Sequence, residues 1–75
     1  MQQLIDPEAR DQLDKILSPS ERGMLDLLDA GQSVPIDSAS KVCAYRIRQA
    51  LSLLSPQVVM ITARGSGYTL RRLEL

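Results

Sequence analysis

The feature that most constrains this chain is the segment Gly65-Ser66-Gly67, which separates two runs of β-prone residues. The runs cover residues 58–63 and 68–73 and contain valine, isoleucine, threonine, tyrosine and leucine. Two such runs around a short glycine-rich turn predict a β-hairpin, because glycine accepts the positive φ angles that tight turns need. Arg64 precedes the turn, so the predicted hairpin has a cationic tip.

The rest of the chain must fold around a small aliphatic core. The 75 residues are 44% hydrophobic but include neither phenylalanine nor tryptophan. A chain of this length is near the lower limit for an independent hydrophobic core. We therefore expect a single domain, residues 1–75, whose thin core would gain from oligomerisation.

Two short helices are predicted before residue 31. The first begins at Asp6-Pro7, an N-cap acceptor followed by proline at the first helical position, and covers residues 7–16. Its apolar stripe consists of residues 9, 13, 16 and 17. The second begins at Ser18, because Glu21 follows three residues later as a capping box requires, and ends at Gly31. Its apolar face consists of Met24, Leu25, Leu27 and Leu28.

A longer third helix is predicted from the N-cap Asp37 to about Leu54, after a short extended connector at residues 33–36. Its core face would comprise Ala44, Ile47, Ala50, Leu51 and Leu54, with Cys43 at the margin. The opposite side would comprise Lys41, Tyr45, Arg48 and Ser52, with Arg46 and Gln49 alongside. Within the domain, residues 1–17 are thus the N-terminal helix, 18–54 a helix-turn-helix-like region and 57–73 a wing hairpin. The predicted fold is α+β, a small winged helix with three helices followed by a C-terminal β-hairpin.

Charge is distributed unevenly although the net charge is zero. Residues 1–37 contain eight acidic and three basic residues, whereas residues 38–75 contain six basic residues and one acidic residue. The two halves therefore have net charges of −5 and +5. Such asymmetry favours a surface that faces a polyanion. The alternative is that the two halves pair with each other electrostatically.

Residue types argue against catalysis and metal binding. There is no histidine, and the single cysteine, Cys43, has no base partner in the sequence. Clustered cysteine and histidine ligands are missing, so no metal or cofactor is predicted. Asp11 and Asp14 could share a helix face, but a solvated face explains them better. These residue types lead us to expect that the protein is not an enzyme. The lone cysteine, together with the lack of a long apolar run or signal peptide, leads us to expect a cytoplasmic protein.

Three segments resemble the OmpR/PhoB-type winged-helix DNA-binding domains. Residues 17–21 read L-S-P-S-E and resemble the family's opening L-T-P-T-E. Residues 46–51 read R-I-R-Q-A-L and resemble R-L-R-x-K-L, the end of the family's recognition helix. Residues 62–70 read T-A-R-G-S-G-Y-T-L and resemble the wing signature T-V-R-G-x-G-Y-x-L. The resemblance covers residues 17–70, and the wing is its most specific part.

The resemblance implies a transcriptional regulator that binds DNA with a recognition helix in the major groove and a wing at the minor groove. The candidate DNA-contacting residues are Lys41, Tyr45, Arg46, Arg48, Gln49, Arg64, Ser66 and Tyr68. Within this set, Arg64 would reach the minor groove or its phosphates and Tyr68 would anchor the wing. We expect a homodimer on double-stranded DNA, with the acidic half turned toward RNA polymerase or another protein.

The chain also departs from the family pattern. The family has a further helix between its opening helix and its recognition helix, and residues 31–37 are too few to form it. We also expect no counterpart of the family's N-terminal sheet and receiver domain. Either the first helix replaces the supporting helix, or the motif is degenerate. The alternative function is therefore a winged-helix protein–protein interaction adaptor that does not bind DNA directly.

Overall fold

Three helices precede a β-hairpin in the computed structural model, which describes residues 4–63, 65 and 67–73. The elements are α1 (Pro7–Ile16), α2 (Pro19–Asp29), α3 (Ser38–Leu54), β1 (Val58–Ala63) and β2 (Gly67–Arg72). The two strands pair antiparallel. The predicted α+β fold, with three helices and a C-terminal hairpin in a winged-helix-like layout, is confirmed.

Side-chain caps fix the starts of α2 and α3. The Ser18 hydroxyl accepts a hydrogen bond from the Glu21 amide at 3.2 Å, and the Glu21 carboxylate accepts one from the Ser18 amide at 2.8 Å. Asp37 and Ser40 form the same reciprocal pair at the start of α3, with both bonds at 2.8 Å. These bonds satisfy amides that the first helical turn leaves without partners. Both predicted helix starts are confirmed.

α1 covers Pro7–Ile16, as predicted, but its N-cap and its apolar stripe differ from the prediction. Pro7 occupies the first turn, but the Asp6 side chain makes no capping hydrogen bond within the described part of the chain. The helix ends at Ile16, and the backbone of Leu17 is extended. Leu17 is buried, whereas Ile16 is 52% exposed. Ile16 therefore does not belong to the buried stripe that the sequence predicted.

The core lies where the three helices meet the inner face of the hairpin. Its fully buried members include Leu13 from α1, Leu25 and Leu28 from α2, and Ile47 from α3. The predicted core face of α3 is confirmed, with Leu54 and Cys43 partly buried at its margin. Leu27 was predicted in the core but is exposed. It lies about 100° around the helix axis from Leu28, on the side away from α3.

The connector between α2 and α3 adds a short third segment to the sheet. The Val34 amide donates to the Tyr68 carbonyl at 3.0 Å, and the Tyr68 amide donates to the Val34 carbonyl at 2.8 Å. The predicted extended segment at residues 33–36 thus forms a one-residue bridge to β2. Gly65 and Gly67 have φ angles of 81° and 96°, so the glycine turn adopts the positive φ that was predicted. A Cβ atom on Gly67 would overlap the Val34 carbonyl oxygen.

Candidate nucleic-acid interface

The solvent-facing side of α3 contains five of the predicted contact residues. Lys41, Tyr45, Arg46, Arg48 and Gln49 are all exposed. They are exposed because the opposite side of α3 is the one that is buried in the core. The Gln49 amide nitrogen donates to the Tyr45 hydroxyl at 3.0 Å. This hydrogen bond joins the two side chains into a polar ridge along the middle of the exposed side.

Cations lie on both flanks of the Tyr45–Gln49 ridge. Residues 46 and 48 diverge by about 200° around the helix axis, so Arg46 and Arg48 lie on opposite flanks. The Arg48 guanidinium turns toward the hairpin, and its Nη2 lies 3.5 Å from the Met60 carbonyl oxygen. A hydrogen bond of this length is weak. The Arg48 guanidinium can therefore leave the hairpin for another acceptor at little energetic cost.

The basic residues of the C-terminal half are mostly free of acidic partners. Within the described ranges, Lys41, Arg46, Arg48 and Arg71 form no ion pair. Arg72, which lies 3.4 Å from Asp6, forms the single described ion pair between the two halves. The alternative explanation, in which the two halves neutralise each other, therefore has little support among these residues.

In the acidic half, residues 1–37, acidic side chains pair with basic side chains of the same half. Arg10 on α1 pairs with Asp14, Asp26 and Asp29, and these contacts join α1 to α2. Lys15 lies 3.7 Å from Asp11, one helical turn away. Asp11 and Asp14 thus take part in separate ion pairs on α1. Their pairing agrees with a solvated helix face rather than an acid–base site.

The hairpin contributes fewer described side chains to this interface. Tyr68 is only 7% exposed, and its ring packs in the core while its backbone pairs with Val34. Tyr68 was predicted among the contact residues, whereas the structure places its side chain in the core. Arg64 and Ser66, both predicted contact residues, lie outside the described residues. Gly65 and Gly67 are the described members of the turn.

The sequence reasoning missed two exposed apolar residues on α3. Val42 is 67% exposed and Leu53 is 80% exposed. Both lie on the same side of the helix as Gln49, at spacings of seven and four residues. That helical spacing could have placed them on the exposed side before the structure was known. The exposed side of α3 is therefore part basic and part apolar.

Comparisons with protein-family models, with curated proteins and with solved structures find no match for this chain. The resemblance to the OmpR/PhoB-type domains accordingly stays a prediction. None of the helices in the described ranges is both long and apolar enough to cross a membrane. Among those same residues, no group of three or more His, Cys, Asp or Glu side chains could hold a metal ion.

Proposed function

We propose that this protein is a DNA-binding transcriptional regulator that places the exposed side of α3 in the major groove. The observation that carries the proposal is the set of unpaired cations on that side. Lys41, Arg46 and Arg48 surround the Tyr45–Gln49 ridge and have no acidic partner among the described residues. The major groove of B-DNA is wide enough to admit an α-helix. The hairpin follows α3 directly, as a wing does in winged-helix proteins.

Two arginines have different proposed roles. Arg48 reads a base, because arginine pairs bidentately with guanine and the weak contact with Met60 is easily replaced. Arg46, on the other flank, contacts a backbone phosphate, which adds affinity without sequence preference. Gln49 is suited to adenine. Arg64, at the hairpin tip in sequence, is the proposed minor-groove contact, since a narrow minor groove attracts arginine.

The charges of α1 and α2 favour one orientation on DNA. The acidic half has a net charge of −5, which phosphates would repel. We propose that this half faces away from DNA, toward RNA polymerase or another protein. One small module offers few phosphate contacts, so we propose a homodimer that binds two half-sites.

Selection from a random pool of duplex DNA tests the proposal. The full chain is mixed with the pool, bound duplexes are separated by gel mobility, and the selected duplex is titrated at several salt concentrations. The logarithm of the association constant should fall linearly with the logarithm of salt concentration. Removal of Lys41, Arg46 and Arg48 together should abolish the shift. Replacing Lys15 and Arg22 by alanine, which removes charge from α1 and α2, provides the control and should preserve binding.

A second candidate function is a protein-interaction adaptor. The observation that favours it is the exposure of Val42 and Leu53 on the same side of α3, since apolar residues gain little from contact with DNA phosphates. An adaptor would show no enriched sequence and no shift of any duplex at low salt. That outcome would contradict the DNA-binding proposal.

A further inference from the structure

β1 is an outer strand of the sheet, and no other described segment pairs with its outer edge. The Leu73 amide donates to the Gln57 carbonyl at 2.7 Å, so the Gln57 carbonyl, just before β1, points toward the chain that continues β2. In an antiparallel pair, inward and outward backbone groups alternate along the strand. With the observed register, the amides and carbonyls of Val58, Met60 and Thr62 therefore point away from β2. The opposite edge of the sheet, along β2, is partly covered by Val34, which pairs with Tyr68.

Two amides on this edge have no acceptor among the described residues: that of Thr62, which is exposed, and that of Met60, which is 8% exposed. The Val58 amide donates to the Ser55 carbonyl at 3.0 Å, so its hydrogen bond is satisfied. No described residue accepts a hydrogen bond from the outward amides of Met60 and Thr62. The strand from Val58 to Ala63 contains neither a charged residue nor proline, which are the usual features that protect an exposed edge. The edge is therefore suited to pairing with another extended segment.

A groove of about 330 Å³ lies between the first half of β1, from Val58 to Met60, and the C-terminal half of α3. Its wall is mainly apolar and includes Leu51, Pro56 and Met60. Arg48 is the charged residue of the lining. The edge and the adjoining groove together thus combine unpaired backbone donors, an apolar surface and one cation without an acidic partner among the described residues.

We propose that this edge and groove bind an extended acidic peptide segment of another protein as an added β-strand. The backbone of the peptide would pair with Met60 and Thr62. Side chains at alternate positions of a strand face the same way, so one apolar side chain would enter the groove. An aspartate or glutamate two residues away would pair with Arg48. The charge of Arg48 selects an acidic segment over a basic one.

A second copy of this chain fits the edge less well. Antiparallel pairing of two β1 strands about a two-fold axis would bring both Arg48 side chains to the same edge. Like charges there would repel, and β1 has no acidic residue to compensate. The complementary charge must come from a different sequence. The peptide site is a separate proposal from DNA binding, because it requires the backbone of β1, whereas DNA binding is proposed for the exposed side chains of α3.

A displayed library of random decapeptides, selected on the immobilised full chain, tests the inference. We expect enriched peptides to share alternating apolar residues with an aspartate or glutamate at a fixed offset. The enriched peptide, labelled with fluorescein, is then titrated by fluorescence polarisation. Arg48→Ala should weaken its binding by about tenfold, as expected for loss of a charged hydrogen bond. Arg22→Ala removes the same charge from α2 and should leave the peptide affinity unchanged.

A second variant tests the backbone pairing. The Thr62 amide points outward, so Thr62→Pro removes no hydrogen bond of the hairpin but blocks an added strand. Peptide binding should be lost while the melting temperature is kept. If this variant does not fold, hydrogen exchange in the unaltered protein provides the same test. Addition of the peptide should slow exchange at the Met60 and Thr62 amides.

Three results would overturn the inference. The first is a library without enrichment, or with enriched peptides that lack an acidic residue. The second is peptide binding that leaves exchange at Met60 and Thr62 unchanged. The third is a dimer in sedimentation experiments that Thr62→Pro converts to monomer, since a second copy would then occupy the edge. Arg46→Ala should weaken DNA binding alone, so the peptide and DNA proposals can fail separately.

Discussion

Arg10 Nη1 donates to Asp29 Oδ2 at 3.1 Å, and this ion pair joins α1 to the end of α2. Asp29 is only 1% exposed, and its Oδ1 accepts a second hydrogen bond from the Ile5 amide at 2.9 Å. Burial by itself lowers the pKa of Arg10, but hydrogen bonds with Asp14 and Asp26 outweigh burial and raise the pKa above its ordinary value. Arg10 therefore keeps its charge and compensates the buried carboxylate of Asp29.

Arg10→Ala should destabilise the protein strongly, because it leaves the Asp29 carboxylate buried without its cation. Loss of one partner of a buried ion pair typically costs about 3–5 kcal/mol. Urea denaturation followed by circular dichroism measures the change in the free energy of unfolding. The matched control is Lys15→Ala, which breaks the exposed pair with Asp11 and should cost less than about 1 kcal/mol. Equal losses in the two variants would contradict the structural role of Asp29.

Leu51→Ala should also destabilise the domain, because Leu51 is 2% exposed and packs in the core. Such a truncation leaves a cavity and costs about 2–5 kcal/mol. Leu53 provides the control on the same helix, since its side chain is 80% exposed. Leu53→Ala should change the free energy of unfolding by less than about 0.5 kcal/mol. A thermal melt that Leu51→Ala leaves unchanged would show that the core face of α3 is assigned incorrectly.

Gly67→Val should damage both fold and function. Gly67 has a φ angle of 96°, and any Cβ there meets the Val34 carbonyl oxygen. Gly65→Ala should be milder, because Gly65 shares the positive φ but has open space around the site of a Cβ. Gly23→Ala, inside α2, should stabilise the protein by about 0.5–1 kcal/mol, since alanine favours helix. Thermal melts of the three variants should therefore rank Gly23→Ala highest and Gly67→Val lowest.

The two arginines of α3 should affect DNA binding differently. Arg48→Ala should relax the sequence preference, because it removes a base contact. The free energy of binding to the selected duplex should become less favourable by about 1–3 kcal/mol. Arg46→Ala should weaken binding to all sequences alike. Titrations with the selected duplex and a scrambled duplex separate these effects, and Arg22→Ala serves as the charge control. Unchanged affinity in both variants would rule out the groove-reading arrangement.

Arg64→Ala should weaken DNA binding without changing the melting temperature. We expect the salt slope to fall by about one phosphate equivalent, because the proposed contact releases a counterion. Titration of the selected duplex at two salt concentrations measures both the affinity and the slope. The competing view treats Arg64 as a solvated charge beyond the end of β1. An unchanged affinity and slope would support that view.

The sequence alone determined the elements and their order. Ser18 and Glu21 cap α2 through atoms three residues apart, and the glycines of the turn fix the hairpin through their own backbone angles. Such interactions are local, so they can be identified from spacing without knowing the rest of the fold. The core face of α3 was equally predictable, because helical periodicity determines which residues share a side.

Which apolar residues are buried, and which charges pair, depends on how the helices and strands pack together. Ile16 and Leu27 both fit an apolar stripe by sequence, yet each is exposed, because the packing of α1 and α2 places them on the outer sides of these helices. The pairing of Arg10 with Asp29 joins residues 19 positions apart. The open edge of β1 depends on the register with β2 and on the bridge from Val34. These features arise from contacts between elements, whose relative placement local spacing does not specify.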